Sequence, residues 1–216
     1  MLALYGHPFS SYTWKALIPL YALDEAFDFR AVYAGHAEHD AFVAAAHPLG
    51  KFPVLVDGGD TVIEATAIIE HLAATRPGGA RFIPADPLAA ARERMLDRVF
   101  DLSVQAAMQR VVNTHLFRPD DPDPAELTGG REQLQRCYAW LERWLGDHPI
   151  PPAVTLATCA AAPALFYADW IEPIPDSAPR LQRLRADLLA LPEVVRCVDD
   201  ARPYRPLFPP GAPDRD

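Results

Sequence analysis

Three stretches of the chain gather side chains able to do chemistry. In HPFSSYTWKA the hydroxyls of Ser10, Ser11 and Tyr12 stand together where a helix pattern begins. A serine there caps the helix by accepting a backbone N–H, and it keeps a proton to offer an anion held nearby. In HPLGKFPVLVD, Pro53 separates Phe52 from an apolar run. Proline cannot donate to a sheet ladder, so it marks the start or edge of a strand. In EATAIIEHL, Glu64 opens a helix. Its carboxylate suits the positive end of the helix dipole, and the free N–H groups of Ala65 and Thr66 would take an anion. Lys51, beside Phe52, adds a cation to the same neighbourhood. His36, His39 and His47 match no zinc spacing and have no cysteine near. They read as solvated loop histidines, and no metal is expected.

These groups need a scaffold, and residues 1–76 supply one by alternating strand and helix signals. LALYG is an apolar strand and SYTWKALIPLYAL a helix with Ser10 or Ser11 as cap, interrupted by a Pro19 of no evident purpose. FDFRAVYA alternates like a strand, AEHDAFVAAA reads as a short helix, and FPVLVDGGDTVIE is a hairpin about an Asp-Gly turn. EATAIIEHLAATR is an amphipathic helix that ends near Pro77. This order predicts a small α/β layer domain. Residues 77–87 form a Pro/Gly/Ala linker, and 88–216 show only helix signals. The long LAAARERMLDRVFDLSVQAAMQRVVNTHL is expected to bury Met95, Val99, Leu102 and Ala106 as one stripe.

Composition narrows the function. The net charge of −9, from 20 basic and 29 acidic residues, argues against a nucleic-acid or anionic-membrane binder. No apolar run reaches about 18 residues and the first residues lack a signal-peptide pattern, so neither a membrane span nor a leader is expected. Three dispersed cysteines, Cys137, Cys159 and Cys197, fit a reducing cytoplasm better than a disulfide framework.

PLGKFPVLVDGGDTVIEATAIIEHL resembles the signature of the glutathione S-transferase family, P-x-G-K-x-P-x-L followed by E-S-x-A-I, with Ala65 where the family has serine. TLATCAAAPALFYADWI is similar to its buried helix, with Thr155 in place but Thr158 for the usual acid, and ARPYRPLFP to the tail of bacterial members. The resemblance covers nearly the whole chain. It implies a thioredoxin-like N-terminal domain, an all-helical C-terminal domain and a homodimer. It also implies a cis bond before Pro53 that turns the backbone of Phe52 toward the cysteinyl unit of glutathione. Glu64, Ala65 and Thr66 would hold the γ-glutamyl end, and Lys51 the glycyl carboxylate. Ser10 falls at the family's catalytic Ser or Cys position, and the residues themselves leave Ser11 and Tyr12 open as alternatives. Phe9, Tyr12, Val104 and Met108, with Phe100, are candidate walls for a hydrophobic electrophile. Two other readings stand beside a transferase. SSYTWK is similar to the S-S-C-x-W-R of maleylacetoacetate-type isomerases, apart from Tyr12. The departures at Ala65 and Thr158 suit a non-enzymatic binding protein.

Overall fold

The computed structural model describes residues 1–33 and 35–216. Four short strands, β1 (Leu2–Gly6), β2 (Asp28–Ala31), β3 (Val54–Asp57) and β4 (Asp60–Ile63), form one sheet in the order β2-β1-β3-β4. β1 pairs parallel with β2 and antiparallel with β3, and β3 pairs antiparallel with β4. The second strand stops short of the expected FDFRAVYA, whose Ala34 lies outside the described residues. α1 (Ser11–Ala22), α2 (Ala37–Ala46) and α3 (Ala65–Thr75) complete a thioredoxin-like domain. α1 runs unbroken through Pro19. Gly6 is required where β1 hands over to α1, because a Cβ there would sit 2.6 Å from the Thr13 methyl.

After a 3₁₀ turn at Gly79–Phe82 the chain is helical: α4 (Pro87–Val99), a π turn (Phe100–Gln105), α5 (Ala106–Phe117), α6 (Pro124–Asp147), α7 (Leu156–Ile171), α8 (Pro179–Leu189) and α9 (Pro192–Ala201). Every residue of α7 is buried. It packs against α1, α4, α8 and the π turn, forming the post around which both domains close. Its start is a capping box: the Thr155 hydroxyl accepts from Thr158 N and the Thr158 hydroxyl accepts from Thr155 N at 2.8 Å. Thr158 therefore performs the job of the missing acid.

The expected stripe on α4 is corrected. Met95 and Leu102 are exposed, while Leu96, Phe100, Val104, Ala107, Met108 and Val111 are buried. The alanine-rich sequence offers two adjacent apolar stripes, and the longer one, with Phe100, faces the core. The π turn between them widens the helix and shifts the register by about one residue. Among the described residues, no helix is long and apolar enough to cross a membrane.

Candidate functional site

Two adjoining cavities lie at the junction of the domains. The first, of about 180 Å³, is lined by Tyr12, His47, Lys51, Phe52, Pro53, Glu64, Ala65, Asp101 and Leu102. The second, of about 310 Å³, includes Phe9, Ser10, Ser11, Tyr12, Phe52, Met108, Val112 and Tyr167 in its walls. They share Tyr12 and Phe52. One is polar with charges of both signs and the other mainly apolar, and the serines stand on the apolar side of the seam.

The polar cavity is built on β3 and the head of α3. The Phe52–Pro53 peptide is cis, as the resemblance implied. Glu64 occupies the residue before α3 with φ 70° and ψ 119°, a conformation L-residues rarely adopt, and its side chain makes no capping bond. Glu64 therefore does not cap α3 through its side chain. The N–H groups of the first turn, Ala65 and Thr66 among them, have no intrahelical partner, as at any helix start. The Glu64 carboxylate is largely exposed and lies 3.3 Å from His47 Nε2. Leu49 N–H donates to His47 Nδ1, so Nε2 carries the proton and donates to Glu64. His47 is only 6% exposed, which corrects its reading as a solvated loop residue. Lys51 is exposed and lines the same cavity.

Beneath this cavity lies a charged cluster that sequence reasoning missed. Lys15, 1% exposed, places Nζ 2.5 Å from both Asp97 and Asp101 and donates to Thr66 Oγ1 at 2.8 Å. The Thr66 hydroxyl donates on to Asp97, and Arg98 pairs with Asp97 from outside. Burial raises the Asp101 carboxyl above its usual range, opposed by Lys15. The cluster locks α1, α3 and α4 together, so the side chain of Thr66 is structural and only its N–H faces outward duties.

At the head of α1, Ser10 is the cap: Thr13 N–H donates to its Oγ at 3.3 Å. Ser11 Oγ accepts from Gln105 Nε2 of the π turn at 2.7 Å. The preceding loop is held by Trp14 Nε1 donating to Pro8 O at 2.6 Å and Tyr167 O–H donating to Phe9 O at 2.9 Å. Tyr12, pushed up to about 12 mainly by burial and then by Asp101 and Glu64, keeps its proton throughout the neutral range. Phe9 and Met108 face the apolar cavity, but Val104 and Phe100 are wholly buried in the core and do not.

Burial also pushes all three free thiols up, Cys159 and Cys197 most, and none lines either cavity. No cysteine of the chain is therefore placed to act as a nucleophile in either cavity. Among the described residues one trio, His36, Glu38 and His39, brings possible ligand atoms within 4.8 Å of one another. It lies at the start of α2, whose dipole disfavours a cation.

Residues 4–80 match the family "Glutathione S-transferase, N-terminal domain". The chain is 24% identical over 207 residues to a "Probable maleylacetoacetate isomerase" of Caenorhabditis elegans, covering 93% of this chain and 94% of the relative. A protein of the same description from Vibrio cholerae is 25% identical over 217 residues, with 94% and 97% covered. In structure the chain is similar to a glutathione S-transferase of Methylobacillus flagellatus solved with glutathione bound, at a TM-score of 0.77, 22% identity and coverage of 91% and 98%.

Proposed function

We propose, for a chain that belongs to the glutathione S-transferase family by its N-terminal domain and its fold, that it binds glutathione as co-substrate and activates the thiolate against a small hydrophobic electrophile. The observation that carries this reading is the pair of cavities joined at Tyr12 and Phe52. The polar one suits the tripeptide. The uncapped head of α3 takes the γ-glutamyl carboxylate, Glu64 its ammonium, the Phe52 backbone the cysteinyl unit and Lys51 the glycyl carboxylate. The sulfur then points to the seam, where the Ser10–Ser11 pair offers hydroxyl protons and the apolar cavity holds the electrophile.

The chemistry asked of the protein is small. A free thiol of this kind has a pKa of roughly 8.5, and only the thiolate attacks. A hydroxyl donating to sulfur stabilises the anion, and the apolar walls at Phe9, Met108 and Tyr167 keep the electrophile beside it. An isomerase of the maleylacetoacetate type is a second reading, supported by the description of the relatives. It uses the same thiolate, adding to a double bond and leaving again after rotation. The seat of the protein is proposed to be cytoplasmic. The exposed line Leu88, Met95 and Leu102 on α4 and the π turn supports a homodimer that covers it.

Retention on immobilised glutathione, followed by turnover of a chloro-nitroaromatic acceptor and of a cis-configured dicarbonyl alkene, tests the reading. Retention with turnover of the first supports the transferase, turnover of the second alone the isomerase. Retention without either leaves a binding protein, and absence of retention overturns the proposal.

A further inference from the structure

We infer that Gln105 is a positioning residue whose side-chain amide turns the hydroxyl proton of Ser11 toward the sulfur of bound glutathione, making Ser11 the thiolate donor. The inference rests on the reading of the site as a glutathione site and deepens it. Gln105 closes the π turn and is 2% exposed. It reaches across the domain junction to donate from Nε2 to Ser11 Oγ at 2.7 Å, yet it does not line either cavity. Its other amide atom, Oε1, is buried and has no hydrogen-bond partner among the described residues. A half-satisfied buried amide costs stability that an apolar side chain of the same shape would not. Packing therefore does not account for a glutamine here, and the single bond to Ser11 does.

A hydroxyl has one proton and two acceptor sites. With one acceptor site of Ser11 filled from behind by Gln105, and no protein acceptor paired with the proton among the described residues, the proton is left for the cavity that Ser11 lines. A hydroxyl that accepts a short bond is also a stronger donor, because bonds in a chain polarise one another. Ser10 accepts only the longer 3.3 Å bond from Thr13 N, and its task is the cap. π turns are frequent at functional sites, and this one ends on the residue concerned.

The test reads the ultraviolet absorbance of the bound thiolate against pH in wild type, Gln105→Met, Gln105→Glu, Ser11→Ala and the double variant Ser11→Ala/Gln105→Met. The titratable groups of the apolar cavity leave the window clear: burial lowers His7 and raises Tyr12 and Tyr167. His47, Lys51, Glu64 and Asp101 of the polar cavity are the same in every variant. Gln105→Met should raise the thiol pKa by about half a unit to one unit, a several-fold loss of thiolate at neutral pH. Gln105→Glu, whose carboxylate when ionised only accepts and so takes the Ser11 proton, should raise it by about one to two units where that carboxylate is charged, and Ser11→Ala should raise it by as much throughout. Glutathione affinity should stay within about threefold. In the Ser11→Ala background, Gln105→Met should add nothing. An unchanged or lowered pKa in both Gln105 variants overturns the inference, as does an additive double variant. If neither of these variants folds, Gln105→Asn, which keeps the amide but shortens its reach, takes their place, and an unshifted pKa there or in Ser11→Ala overturns the inference. A wild type that neither binds glutathione nor shows a thiolate band overturns the glutathione reading itself. A normal wild type with insensitive variants overturns only the role of Gln105.

Discussion

The two helices that point their N-termini at the site, α1 and α3, are finished in opposite ways. α1 is capped by Ser10, whose Oγ accepts from Thr13 N–H. α3 has no side-chain cap, and the residue in the capping position, Glu64, is held at positive φ with its carboxylate turned to His47. A side-chain cap takes up one N–H and fixes a hydroxyl at the helix head; an uncapped head leaves all of its first N–H groups to a passing anion. The difference supports the proposed division of the site, with a full carboxylate at α3 and a polarisable sulfur, needing one directed proton, at α1. Lys15 makes the two heads one unit, since it bonds Thr66 of α3 from the middle of α1.

Cutting that tie should have the largest effect. Lys15→Met leaves Asp101 without its cation and Asp97 with Arg98 alone, and loss of one partner of such a buried group costs about 3–5 kcal/mol. Urea unfolding of the variant should show that drop; a loss below about 1 kcal/mol would mean the heads are not coupled. Next comes Glu64. Glu64→Gln should weaken glutathione by about 2 kcal/mol, the worth of a hydrogen bond to a charged partner, with folding intact. Glu64→Gly should weaken it likewise while stabilising the fold by about 1 kcal/mol, because glycine takes the positive φ without strain. Equal affinity across the three proteins would return Glu64 to a structural role.

Ser10→Ala should cost about 1 kcal/mol of stability as the α1 cap is lost, with little change in the pH dependence of the bound thiol. A large shift in that titration would move the sulfur donor from Ser11 to Ser10 and dissolve the division between cap and donor. The smallest effect is a gain. Ala65, 5% exposed in the polar cavity, stands where the family has serine. Ala65→Ser restores a hydroxyl at the uncapped head and should tighten glutathione by about 0.5–1.5 kcal/mol, measured by calorimetry.

The same contrast runs through what the sequence makes legible. The α3 half of the site is local: GKFPVL and EATAIIEHL sit a few residues apart, so proline, acid and helix start are visible together. The α1 half depends on partners far along the chain. Lys15 meets Asp101 and Ser11 meets Gln105 across 86 and 94 residues, and no periodicity announces such pairs. A lysine inside the apolar stretch SYTWKALIPLYAL is the one clue, since a buried lysine demands an acid. His47 escaped because its burial comes from the fold and not from its polar neighbours. On α4 two competing stripes were equally periodic, and only packing against α7 and the π turn decides between them.

On the proposed reading the uncapped head of α3 takes the carboxylate and the head of α1, capped by Ser10, takes the sulfur. A crystal structure of the protein soaked with glutathione tests it most directly. The account predicts the γ-glutamyl carboxylate within hydrogen-bond distance of the N–H groups of Ala65 and Thr66, with the sulfur facing Ser11 Oγ at about 3.5 Å or less. A tripeptide bound with its sulfur turned away from α1, or with its carboxylates far from α3, would contradict it.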